Sequence, residues 1–143
     1  MANTILLIGD HDKYQDERRA ASGSAIKPGM LIIPTAADEV NVHATAGGKD
    51  DGLVALEDDL QGLTIDTAYT PGGVVFHHRS LPGDMLNLIL KAGEHAYPNS
   101  YLTSYGDGTV KVATGGDEKS WRAGQEVDLS ASGSDARCPA YRV

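Results

Sequence analysis

Short apolar runs separated by stiff two-residue turns constrain this chain more than any other feature. Residues 53–56, 74–76 and 85–90 are apolar, and Pro71-Gly72 and Pro82-Gly83 stand between them. Pro presets φ near −65° at the second position of a turn, and Gly supplies the positive φ that the third position of a type II turn demands. Runs of this length joined by such turns predict a small antiparallel sheet that closes on itself. The same grammar continues on both sides. Lys27-Pro28-Gly29 leads into Met30-Leu31-Ile32-Ile33, with Pro34 expected to end that run and residues 35–39 to form a loop. Residues 40–44 alternate apolar and polar, the period of a half-buried strand. Pro98-Asn99 turns into residues 101–105, and Asp107-Gly108 between alternating runs is a hairpin signal. Residues 85–90 also fit helical spacing, but the glycines at 83 and 93 bound them at strand length. Thr64 is a candidate N-cap for one short helical turn.

These readings predict an all-β fold, a small closed or partly open barrel of about eight or nine short strands. Residues 1–25 are expected to form an amino-terminal arm, 26–115 the barrel domain and 116–143 a carboxy-terminal extension with one more strand near 126–129. In the arm, the apolar run Ile5-Leu6-Leu7-Ile8 precedes a strongly charged segment. The residues leave open whether it docks on its own barrel or on a neighbour.

Composition narrows the function classes. With 17 glycines and 6% aromatic residues among 143, tight turns outweigh long helices. The formal net charge of −8 argues against a nucleic-acid-binding surface and against an anionic membrane. Cys138 is the single cysteine, so neither an intrachain disulfide nor a Cys-rich zinc site is available. No basic leader opens the chain and no apolar run approaches the roughly 18 residues of a membrane helix, so the expected product is a soluble one made in the cytoplasm.

Candidate chemistry is sparse. Gly9-Asp10-His11-Asp12 resembles one block of the metallophosphoesterases, but the other metal-binding blocks of that family are missing. His77-His78 invites a metal reading, yet successive strand residues face opposite ways and cannot easily serve one ion. The pair is better read as interior or subunit-contact histidines. Ser22-Gly23-Ser24 and Ser132-Gly133-Ser134 lack the strand-turn-helix setting of a nucleophilic serine, and residues 49–51 and 57–59 lack the pattern of a calcium loop. No catalytic residue, metal site or cofactor is expected, and the chain is not read as an enzyme.

A set of blocks in order carries a resemblance. They are residues 26–31 (IKPGML), 40–48 (VNVHATAGG), 55–58 (ALED), Gly62 with Ile65-Asp66 and Tyr69, 82–84 (PGD), 90–94 (LKAGE) and 101–110 (YLTSYGDGTV). Together with the opening LIGDHD, they are similar to the small head decoration, or cement, proteins of tailed bacteriophages. The resemblance spans roughly residues 5–113. It implies a β-barrel or β-tulip that binds the outer surface of the expanded capsid in the virion and bridges neighbouring major capsid proteins. It also implies self-association, as a trimer around three-fold or quasi-three-fold positions, without direct contact to nucleic acid or membrane. The candidate contact residues are Ile5, Leu6, Leu7, Ile8, His77, His78, Tyr97 and Trp121. Two other readings remain: a surface module that holds a glycan or a protein through Tyr97, Tyr101, Tyr105 and Trp121, and a small metal-dependent hydrolase using His77 or His78.

Overall fold

The computed structural model describes residues 4–9, 15–21 and 25–143. The chain is all-β: among the described residues there are thirteen strands, no α-helix and a single 3-10 turn at Asp59–Gln61. The expected Pro-Gly turns form as the residue types require. The Pro71-Gly72 turn closes with Gly73 N donating to Thr70 O at 2.8 Å, with Gly72 at φ 79°. Pro82-Gly83 closes with Asp84 N donating to Leu81 O at 3.0 Å, with Gly83 at φ 94°. Asn99, the one described non-glycine residue at positive φ (67°), takes the same place in the turn closed by Ser100 N and Tyr97 O.

The strands form two rings. In the first, β7 (Met85–Leu90), β10 (Val110–Val112), β9 (Tyr101–Ser104), β11 (Trp121–Ala123) and β13 (Ala136–Arg142) lie side by side, and β13 pairs back onto β7 to close a five-stranded barrel. The edge of β7 away from β13 serves two strands. Its start pairs with β1 (Leu6–Ile8) and its last residue, Leu90, pairs with Val110. Leu86, Leu88, Leu90, Leu102, Val110, Trp121, Cys138 and Ala140 fill the interior with Ile5 and Leu6. Burying side chains of this size contributes about 1.5–3 kcal/mol each. A two-stranded flap, β8 (His95–Ala96) and β12 (Val127–Asp128), belongs to the same half.

The second sheet runs β3 (Ile32–Ala36), β4 (Glu39–Val42), β2 (Gln15–Ala20), β6 (Val74–Arg79) and β5 (Leu53–Ala55). Its two ends meet where Leu31 bridges Val54 and Ala55 N donates to Met30 O at 3.0 Å. Ala20, Ile32, Val40, Leu53, Ala55 and Val75 pack inside it with Ile26 and Tyr69. Strand alternation then joins the two rings. Val54 lies between Leu53 and Ala55 in β5 and belongs to the first core, as does Leu31.

Several expectations are corrected. The first sheet crosses the expected boundaries at 25/26 and 115/116, and the second crosses the one at 25/26. β1 and β2 are hydrogen-bonded strands rather than parts of a separable arm, and β11 and β13 are barrel staves rather than an extension. Pro34 does not end its strand. It pairs with Val40 at a register shift on the sheet's edge strand, where its missing N–H costs no ladder bond. Thr64 heads a single turn that does not continue as helix: its carbonyl accepts from Thr67 N at 3.2 Å and its hydroxyl from Asp66 N at 3.3 Å. The strand at 85–90, the hairpin around Asp107-Gly108 and the strand near 126–129 form as expected.

Candidate contact surface

The structure separates the residues that the sequence proposed for contact. Ile5 and Leu6 are buried in the first core, Leu7 is half-buried and Ile8 is 55% exposed. Glu57 fixes the start of this strand, accepting from Thr4 Oγ1 at 2.6 Å and from Ile5 N at 3.0 Å. The apolar run therefore docks on its own chain, and only its last residue faces outward. The Asp10-His11-Asp12 and Ser22-Gly23-Ser24 segments lie outside the described residues.

His77 and His78 are both buried, on opposite faces of β6 as strand alternation requires. His77 pairs across with Ala55 and sits inside the second ring, its Nδ1 3.3 Å from Val75 O. His78 pairs with Val54 on the face toward the first barrel, its Nε2 3.0 Å from Asp84 Oδ2. The same carboxylate oxygen accepts from Leu81 N at 3.0 Å and so ties the imidazole to the Pro82-Gly83 turn. Neither histidine reaches the surface. Trp121 is fully buried beneath the Arg142 guanidinium, 5.2 Å from its ring. Arg142 in turn donates to the buried Asp50 carboxylate at 2.8 Å, which also accepts from Gly52 N at 2.8 Å.

Tyr97 is the most exposed of the proposed residues at 58%, and it stacks on His95 with ring centroids 4.2 Å apart. His95 Nε2 lies 2.9 Å from Glu126 and its Nδ1 3.7 Å from Asp128, so this imidazole bridges β8 to β12. The carboxylates approach different ring nitrogens from either side, an arrangement that braces a flap rather than converging on one point. Among the described residues no group of three or more His, Cys, Asp or Glu side chains is disposed to hold a metal ion.

Two more groups carry electrostatic consequences. Burial pushes the Cys138 thiol up to about 11. Burial also works against ionisation of Asp107, but the Lys91 ammonium at 2.7 Å and Thr109 hold its carboxyl below the ordinary value. A cleft of about 260 Å³ lies beside Arg137, lined by Lys27, Met30, Asp66, Ile89 and Asp135. Arg137 is already engaged there, donating to the carbonyls of Pro28 and Ile65 with Asp66 at 3.6 Å. It fastens the two rings together.

Sequence reasoning did not find the outward residues of β11 and β13, among them Arg122 and Tyr141. No signal marked them, because the strand that carries Tyr141 was read as a tail.

No protein-family model matches the chain, and no curated protein matches it by sequence. Its fold does have a counterpart. The chain is similar in structure to the N base of head fiber gp8.5 in bacteriophage phi29, with a TM-score of 0.55 over 90% of this chain and 96% of that one. The two share 14% identity, so the likeness is one of fold.

Proposed function

We propose that this chain is a structural protein of a bacteriophage virion that binds the outer surface of the expanded head and bridges neighbouring major capsid proteins. The observation that carries the reading is the likeness of fold to a phage head fiber base, which extends over nearly the whole of both chains. The ordered sequence blocks similar to head decoration proteins point the same way.

The physical properties suit that task. Two fused rings with little besides turns between short strands make a rigid body. A net charge of −8 suits a solvent-facing outer layer better than one apposed to packaged DNA. A protein that binds the expanded lattice and not its precursor stabilises that lattice by mass action. Repetition over many sites lets individually weak contacts act together. In this reading Ile8 and Tyr97, the exposed members of the expected contact set, are the side chains available to a neighbour, and association of three copies at three-fold positions would place them around one axis. The role needs binding and shape, with no catalytic step.

The test is co-sedimentation of the purified protein with expanded phage heads stripped of their outer proteins. Saturable binding to expanded heads, with unexpanded heads left bare, is the expected result. A protein that stays in the supernatant with both would overturn the proposal.

A further inference from the structure

A single imidazole closes the two-stranded flap. His95 of β8 stands opposite Asp128 of β12 in the strand register. Its Nε2 lies 2.9 Å from Glu126 Oε1 and its Nδ1 3.7 Å from Asp128 Oδ1. Glu126 and Asp128 flank Val127, and alternation along an extended chain sets both carboxylates on one face. Neither carboxylate has another cation within ion-pair distance among the described residues. The charges in the turn that leads into β8 are engaged elsewhere: Glu94 accepts from Val112 N at 3.3 Å, and Lys91 donates to Asp107 at 2.7 Å. The remaining titratable group against the imidazole is Tyr97, stacked on it at 4.2 Å.

A carboxylate at each ring nitrogen discriminates between the two charge states of the ring. A neutral imidazole has one N–H and one lone pair, so it donates to one carboxylate and turns its lone pair on the other. The imidazolium presents an N–H to both, as a hydrogen bond to Glu126 and a longer ion-pair contact to Asp128. Charging the ring also strengthens its hold on Tyr97, because a cation is drawn to an aromatic face. Histidine is the side chain that ordinarily changes charge between pH 5 and 8. Asp128 stays ionised across that range. The Ser130 hydroxyl and main-chain N–H donate to it and hold its carboxyl below the ordinary value, and the His95 charge adds to the effect.

We infer that His95 is a pH-controlled latch: protonated, it holds β8 against β12 and seats Tyr97, and on losing its proton it lets the flap loosen. Because the latched flap favours the imidazolium, latching is complete in mild acid and is lost as pH rises through the imidazole's titration. The side chains are 27% exposed at His95, 55% at Glu126 and 53% at Asp128, and water screens such pairs. The change is therefore a few-fold rather than all-or-none. Leu129 reports it, since its N–H continues the β8–β12 ladder by donating to Glu94 O at 2.8 Å. The latch concerns the flap alone and stands whether or not the chain binds a capsid.

Hydrogen exchange of the Leu129 amide, followed by NMR at pH 5.5 and pH 8 and corrected for intrinsic rates, provides the test. The reference is the Asn87 amide, which donates to Ile5 O at 2.7 Å within the first barrel. Relative to that reference, Leu129 in the full chain is expected to be at least twofold better protected at pH 5.5 than at pH 8. His95→Gln, uncharged at both values, should show the lower protection at each. His95→Lys, charged at both, should keep the higher protection at pH 8. A change below twofold in the wild-type chain would overturn the inference, and so would a change that survives in His95→Gln. Loss of protection in both variants alike would overturn it too, since the shape of the ring rather than its charge would then hold the flap.

Discussion

Cys138 shows how one residue's chemistry is set by its surroundings. It falls in the segment expected to be a carboxy-terminal extension, and an exposed thiol there would titrate at about 8.5 and react with disulfide reagents. The fold instead puts it opposite Leu88 inside the barrel, with no exposed surface and its pKa raised to about 11. A raised thiol pKa means that the reactive thiolate is scarce at pH 8, and burial hides what little forms. The expected result with a chromogenic disulfide reagent at pH 8 is negligible reaction in the native protein and one thiol per chain in denaturant. Rapid stoichiometric labelling of native protein would show that β13 is not seated as described. His77 and His78 teach the complementary lesson. Alternation correctly predicted that they face apart, but β6 is covered on both faces, so alternation alone could not say that both would be buried.

Among the elements, β1 departs most from its expected role. An apolar run of four at the start of the chain fits a docking arm as well as a core strand, and sequence cannot choose between them. Tertiary structure chooses because β7 has an edge to spare: its last residue alone pairs with β10, which leaves its first residues open to β1. Ile5 and Leu6 then enter the core, and losing a buried aliphatic side chain typically costs about 2–5 kcal/mol. Against a total stability of about 5–15 kcal/mol, losing two such residues is severe. Deleting residues 1–8 should therefore abolish, or lower by more than 10 °C, the thermal unfolding transition followed by circular dichroism. An unchanged transition would restore the separable arm. β13 was missed for a different reason. Its inward residues are the small Cys138 and Ala140, and Pro139 reads as a strand breaker, yet that proline still accepts from Gly124 N at 2.8 Å.

At the scale of the whole molecule, two rings must be held as one body, and buried polar contacts do much of the fastening. His43, at the end of the second sheet's β4, bonds Ser104 Oγ of the first barrel at 2.7 Å and Lys49 O at 2.9 Å. Asp50, almost fully buried in the loop that leads to β5, takes the Arg142 guanidinium from the end of β13. Removing one partner of a buried ion pair strands the other charge, at a cost of about 3–5 kcal/mol. Arg142→Ala should lose that much in chemical denaturation, whereas Arg79→Ala, an exposed arginine, should lose less than about 0.5 kcal/mol. Equal losses would mean that the Asp50–Arg142 clasp does not hold the rings. The sequence by itself determined the class of fold, because the Pro-Gly turns at 28–29, 71–72 and 82–83 and the Asp-Gly turn at 107–108 bound apolar runs of strand length, and those turns act locally. Only the tertiary structure decided that the strands close into two rings instead of one, that both ends of the chain are built into them, and that His95 comes to lie between Glu126 and Asp128. Those outcomes depend on pairings between residues as far apart in sequence as Leu6 and Leu86, which no local pattern encodes.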